Sequence, residues 1–230
     1  MTDRRVVIAV AIVAAALTYG SLAGAESLLA GEGGAATDGE VAVHGTSYHL
    51  DRAGRPTVVG EVRNSVGGPV TNATVTVTFF RDGERIGRAS GATLRPTIPA
   101  GEAAPFDVHL DEATEADDYA VAVAYDRGGS VVPGLAVAET AVADESPDQV
   151  TVTATVENRG NQPRRIERVV ATFYGANRTV VGARVATPGE RLSTGETRTV
   201  RLTFRTLGDV PSLAREFVDF DVRVVAGRAE

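Results

Sequence analysis

Three histidines and one dense acidic run are the residues best suited to chemistry. His44 and His49 sit five apart in a stretch that reads as a strand, where that spacing points them to opposite faces, and no third ligand accompanies them. His109 alternates outward between Val108 and Leu110, which places it on a solvated strand face. The run DEATEADD, Asp111 to Asp118, has the charge to collect Ca²⁺ but lacks the spaced Asp ladder and Gly of a loop site, so it reads as a solvated inter-strand loop. With no Cys, the chain has no disulfide, no thiolate metal site and no Cys nucleophile. It also has no G-x-S-x-G elbow, no Gly-rich phosphate loop and no H-E-x-x-H. We therefore expect no catalytic residue, no metal and no cofactor.

Four other residues stand out for modification or contact. Asn72-Ala73-Thr74 and Asn177-Arg178-Thr179 are sequons, the second at an expected hairpin tip. Phe80 and Tyr174 occupy equivalent positions in two related segments, and alternation turns each away from the core that Phe79 and Phe173 enter. They are either a contact surface or are covered by a neighbouring strand or domain.

Strands must position these groups. The composition is 43% hydrophobic but only 5% aromatic with no Trp, so cores must be assembled from Val, Ala and a few Phe, which suits pleated sheets. All 23 basic residues are Arg, set against 30 Asp and Glu. So acidic a chain does not advertise itself to nucleic acid or anionic lipid, and its scattered acids read as adaptation to high salt, which screens their mutual repulsion, ahead of a ligand-repelling or cation-collecting surface.

The stretch TVVGEVRN (57–64) returns as VTVTATVEN (150–158). An offset of 94 residues brings Asn64 onto Asn158, Pro69 onto Pro163, Phe79-Phe80 onto Phe173-Tyr174 and Gly101-Glu102 onto Gly195-Glu196, with a one-residue slip at Gly87 and Gly182. A period this long is the size of an immunoglobulin-like sandwich and marks a duplicated domain. Inner faces follow from period-two alternation: Val58, Gly60 and Val62; Val75, Val77 and Phe79; Phe106, Val108 and Leu110; and their counterparts in the second copy. The expected fold is all-β: two tandem immunoglobulin-like β-sandwich domains over 41–130 and 131–230, joined by the short stretch Asp126 to Gly134.

Ahead of them, MTDRR precedes an uncharged, mostly apolar run from Val6 to Ala25. Residues 1–25 read either as a signal peptide, with Ala23-Gly24-Ala25 before the cut, or as a transmembrane anchor helix. Arg4 and Arg5 keep the N-terminus inside and place the rest outside. The Gly-rich 26–40 segment reads as a flexible tether.

FFRDGERIG (79–87), preceded by VRN and followed by IPAGEAAPFDV, resembles the FxLYD-type β-sandwich domains of prokaryotic surface proteins, here in two tandem copies from a salt-adapted source. The second copy, with VEN, TFYGANRTVVG and STGETRTV, looks like a diverged member whose Asp-Gly turn is replaced by Gly175-Ala176-Asn177. The resemblance implies an exported or membrane-anchored protein. The function expected is a non-catalytic envelope or cell-surface protein presenting two sandwiches for protein or glycan contact. The alternative is a secreted or anchored ligand-binding accessory of an envelope transporter or enzyme.

Overall fold

The computed structural model describes residues 6–13, 40–146, 149–205 and 217–228. Strand β1 (Val6–Val13) is followed by β2 (Val41–Leu50), β3 (Pro56–Asn64), β4 (Val70–Arg81), β5 (Glu84–Ala92), β6 (Thr97–Ile98), β7 (Ala103–His109) and β8 (Asp118–Arg127). The same order then recurs as β9 (Leu135–Ser146), β10 (Gln149–Asn158), β11 (Arg164–Tyr174), β12 (Val180–Ala186), β13 (Arg191–Leu192), β14 (Thr197–Arg205) and β15 (Asp219–Arg228). The fold is all-β and immunoglobulin-like. In the first half, β2-β3-β7 face β8-β4-β5; in the second, β9-β10-β14 face the sheet of β15, β11 and β12. In each half the chain changes sheets three times, so every strand lends alternate residues to one enclosed core.

Each half closes its own core. Val58, Val62, Val75, Val77, Phe79, Phe106 and Val108 are buried in the first. Val152, Ala154, Val156, Val169, Ala171, Phe173, Leu202 and Phe204 are buried in the second. The inner faces follow the period-two reading, except that Leu110 is only half-buried. It covers Gly87, where a Cβ would meet the Leu110 side chain, as Phe204 covers Gly182. Phe79 pairs with Gly87 and Phe173 with Gly182. The one-residue slip in the repeat thus preserves a glycine beneath the same bulky side chain.

The repeated asparagine ties the two sheets of each sandwich together. Asn64 is fully buried; its Nδ2 donates to Gly68 O at 2.9 Å and Ile98 O at 2.8 Å, and its Oδ1 accepts from Val66 N at 3.0 Å. Its backbone is also paired, N–H to Glu102 O and C=O from Gly101 N. Asn158 repeats the pattern with Gln162 O, Leu192 O, Gly160 N, Glu196 O and Gly195 N. One residue therefore holds three parts together, its side chain the β3–β4 turn and a strand of the opposite sheet and its backbone the Gly-Glu turn, which accounts for V-x-N and G-E recurring at one offset.

Two hairpins differ as the sequence indicates. Asp82 and Gly83 take φ of 52° and 77°, the mirror-image turn that Asp-Gly favours. In the second copy a short 3₁₀ turn at Ala176–Arg178 replaces it, closed by Gly175 N to Thr179 O at 2.8 Å.

A helix was expected over 1–25, but Val6–Val13 runs as a strand along the edge of β8. The segment VVIAVAIV is rich in β-branched residues, which pack well on a pleated sheet. The rest of that segment, and all of the expected tether except Glu40, lie outside the described residues.

Replacing Asn64 or Asn158 by Ala strands one buried carbonyl, one part-buried carbonyl and one N–H. The expected cost is about 3 kcal/mol in the sandwich that carries the change, read as a lower denaturant midpoint. Asn→Asp should cost at least as much, because a carboxylate would face two carbonyl oxygens.

Candidate functional site: the face between the sandwiches

Strand β3 was expected to be half-buried, yet it is buried on both faces: Thr57, Val59 and Glu61 are covered as well as Val58, Gly60 and Val62. The second sandwich supplies the cover. Val59, Tyr174 and Val180 form one apolar cluster across the join. Tyr174, 3% exposed, donates its hydroxyl to Glu61 Oε2 at 2.8 Å. Ser47 Oγ donates to Val180 O at 2.5 Å, and Arg168 Nη1 reaches Leu94 O at 3.1 Å. Burial, reinforced by the adjacent Glu61 carboxylate, pushes the Tyr174 phenol well above its ordinary value.

The contact depends on a break in β2. Between His44 and Ser47 the register shifts, with Gly45 at φ +59°, and a Cβ there would lie 2.6 Å from Arg178 O of the second sandwich. Only glycine meets both demands, the left-handed backbone and the close approach.

The same bulge corrects the reading of the histidines. His44 pairs with Glu61 and His49 with Thr57, residues four apart on β3, so both imidazoles share the outward face rather than opposite faces. They stand about 13 Å apart along the strand, beyond the reach of one metal ion. His44 and His109 are exposed. His49 packs toward the join, its Nδ1 buried with no hydrogen-bond partner among the described residues. Burial lowers its pKa, Asp107 and Asp51 pull it back up, and Arg184 of the second sandwich lowers it further. Burial also lowers the Arg184 pKa, against the pull of Asp107.

Beside the join, an open cleft of about 570 Å³ runs between the 95–102 loop, the 131–133 linker, β9 and β15. Arg95, Glu102, Asp221, Arg223, Leu135 and Phe220 are among its lining. Its charges are largely paired: Arg95 with Glu102 at 2.7 Å and Arg223 with Asp221 at 2.7 Å.

Tyr174 is covered by the first sandwich, with the Arg178 guanidinium 4.1 Å from the ring centroid, whereas Phe80 is half-buried, so the two are not brought onto one surface. Asn72 and Asn177 are both exposed, at φ of 51° and 55°. Asn72 Nδ2 donates to Asp126 Oδ2 at 2.9 Å. The acidic run Asp111 to Asp118 is stapled to the β4–β5 hairpin, where Asp117 Oδ2 accepts from Asp82 N at 2.7 Å and Arg81 Nη2 donates to Thr114 Oγ1 at 2.8 Å. Among the described residues, no group of three or more His, Asp or Glu is arranged to hold a metal ion. Gly45, Ser47, Glu61 and Arg184 escaped sequence reasoning. A glycine inside a β-branched strand was the one signal available for any of them.

No family model matches the chain, and no curated sequence does. Among solved structures the chain is similar to red sea bream transglutaminase, at 16% identity over 85% of this chain and 32% of that one, with a TM-score of 0.26. It is also similar to an exo-chitosanase from Amycolatopsis orientalis, at 14% identity over 79% and 25% with a TM-score of 0.29. A β-glucuronidase from Bacteroides uniformis gives 12% over 67% and 22% with a TM-score of 0.25. The chain spans a third or less of the length of each, and likenesses this distant carry no argument about activity.

Tyr174→Phe leaves the buried Glu61 carboxylate without this donor, so docking should weaken by about 1.5–3 kcal/mol. Calorimetry should then resolve two transitions, against the single one expected of the native chain, and adding Glu61→Leu should restore much of the loss. Acid should act through His49. Above about pH 6.5 the imidazole is neutral whether folded or unfolded. As pH falls below that, the unfolded chain binds the proton first and stability declines by at most about 1.4 kcal/mol per unit. His49→Gln should flatten the stability profile between pH 7 and 5.

Proposed function

We propose that this is a non-catalytic envelope protein, held outside the cytoplasm by its N-terminal segment and presenting two docked β-sandwiches for protein or glycan contact. The observation that carries the reading is the buried join between the sandwiches. Tyr174–Glu61, the Val59 cluster and the bulge at Gly45 give two small sandwiches one mutual orientation, which suits a surface meant to meet a partner rather than a flexible string of modules. Strand β9 adds a long edge, exposed from Ala138 to Ser146 and paired on one side with β10, of the kind that accepts contact through backbone hydrogen bonds.

Sequence supports the location. Arg4 and Arg5 precede an uncharged stretch, and a Gly-rich segment follows it, which is the order of an anchor or a signal before a tether. Among the described residues no helix is long and apolar enough to cross a membrane; the proposed anchor is assigned to the 1–25 segment from its sequence. The FxLYD-type resemblance and the salt-adapted composition agree with an exported role. Asn72 and Asn177, both exposed, are the acceptors we propose for N-glycosylation.

The cleft favours one other reading, a ligand-binding accessory of an envelope transporter or enzyme. Its volume falls within the ordinary range of small-molecule sites, and it combines apolar wall with Arg and Glu. A small acidic or hydroxylated ligand that raised the unfolding temperature, with the effect lost in Arg223→Ala, would favour that reading.

Intact mass of the native protein from the membrane fraction and the medium tests the first reading. A membrane species that retains residues 1–25 is the expected result. A species that begins at Glu26 in the medium would remove the anchor, and added mass would report on the two sequons.

A further inference from the structure

The outer edges of the two sandwiches differ at equivalent strands. Phe79 pairs with Tyr119 of β8, and Phe173 pairs with Phe220 of β15, so the two strands align residue for residue. Their inner positions match, with Tyr119, Val121 and Val123 in the first and Phe220, Val222 and Val224 in the second. Their outward positions do not. Where β15 carries Asp221 and Arg223, β8 carries Ala120 and Ala122, and no charge occurs between Asp118 and Asp126. Charged side chains are the usual guard against unwanted pairing at a sheet edge. The β15 edge has that guard and the β8 edge lacks it.

The unguarded edge is also the one that takes an added strand. Val6–Val13 lies antiparallel to β8, from Val6 opposite Tyr125 to Val13 opposite Tyr119, with one irregularity between Ile8 and Val10. The incoming segment is uncharged and apolar throughout. Composition of the edge and identity of its occupant are separate observations, and they agree.

We propose that the β8 edge is a strand-acceptor site and that its occupant is the chain's own Val6–Val13. The apolar run then has two alternative places: on the β8 edge away from lipid, and in the membrane when the protein is anchored. Moving to the bilayer uncovers the backbone N–H and C=O groups of β8. The edge assignment stands without the anchored-display reading, because it is tested in the absence of lipid, whereas the second placement rests on that reading and is tested with vesicles.

Absence of native Cys makes the test clean. In the full chain, purified without lipid or detergent, Val10→Cys with Ala122→Cys places two thiols at opposed positions, within ordinary disulfide reach. The expected result is an intramolecular disulfide in a monomer, and none in the control pair Val10→Cys with Val185→Cys, whose second position is an exposed residue near the end of β12. A folded monomer with two free thiols would overturn the proposal. A disulfide found only between two chains would assign the edge to a second copy, and equal cross-linking in the control would show a segment with no fixed place; each overturns it as well. If the variants fail to fold, hydrogen exchange on the unaltered full chain decides: slow amides along both edges of β8 are expected, and fast exchange along the outer edge overturns the proposal. Vesicles of phosphatidylcholine and phosphatidylglycerol, added before oxidation, should lower the yield of the intramolecular disulfide. An unchanged yield with protein bound to the vesicles would refute the alternative placement.

Discussion

A buried asparagine in each sandwich holds together parts of the chain that hydrophobic packing alone would leave loose. Cores built from Val and Ala are weakly directional, since many registers bury similar area, and a sandwich of two small sheets can slide or splay at its ends. Asn64 and Asn158 remove that freedom. Each amide is fully buried and satisfies two carbonyls and one N–H, and each backbone anchors the Gly-Glu turn. A fully satisfied polar group in an apolar core adds less to net stability than to specificity, because every competing arrangement strands its donors. The rest of the repeat is arranged around that constraint: an aromatic beneath the core, a glycine beneath a bulky neighbour and a hairpin between.

Duplication produced two such units, and docking them required the copies to diverge. Equivalent outward positions carry different jobs. Phe80 stays half-buried on the first sandwich while Tyr174 becomes the anchor of the join, its hydroxyl held by Glu61 and its ring covered by Arg178. Asp82-Gly83 makes a tight turn in the first copy, whereas the longer 3₁₀ turn of the second brings the Arg178 carbonyl against Gly45. The same difference appears at the outer edges, where β15 carries Asp221 and Arg223 and β8 carries Ala120 and Ala122. Function in this chain is to be sought where the copies differ, because the shared positions are occupied with folding.

The candidate site was legible only in part. Pairing of Phe80 with Tyr174 marked a special position, and the alternation of β3 marked an outward face. Neither says that the outward face of one copy meets the other, because that depends on how a short linker directs the second sandwich. The histidines illustrate the limit. Counting residues from His44 to His49 gives opposite faces, but the bulge at Gly45 inserts an irregularity that reverses the count. Parity along a strand survives only as long as the ladder is regular.

By itself the sequence determined the fold class, the duplication, the two cores and the absence of thiol chemistry. These are local or periodic properties, carried by alternation, turn residues and composition that any pairing of the strands must respect. Tertiary structure decided which outward faces are buried, that Glu61 and Tyr174 share a proton donor and acceptor across the join, and that Val6–Val13 lies along β8 as a strand rather than forming a helix. An apolar run of β-branched residues is compatible with a helix in lipid and with a strand beside an open sheet edge. Its place is set by the partner available, which is a property of the folded molecule rather than of the run.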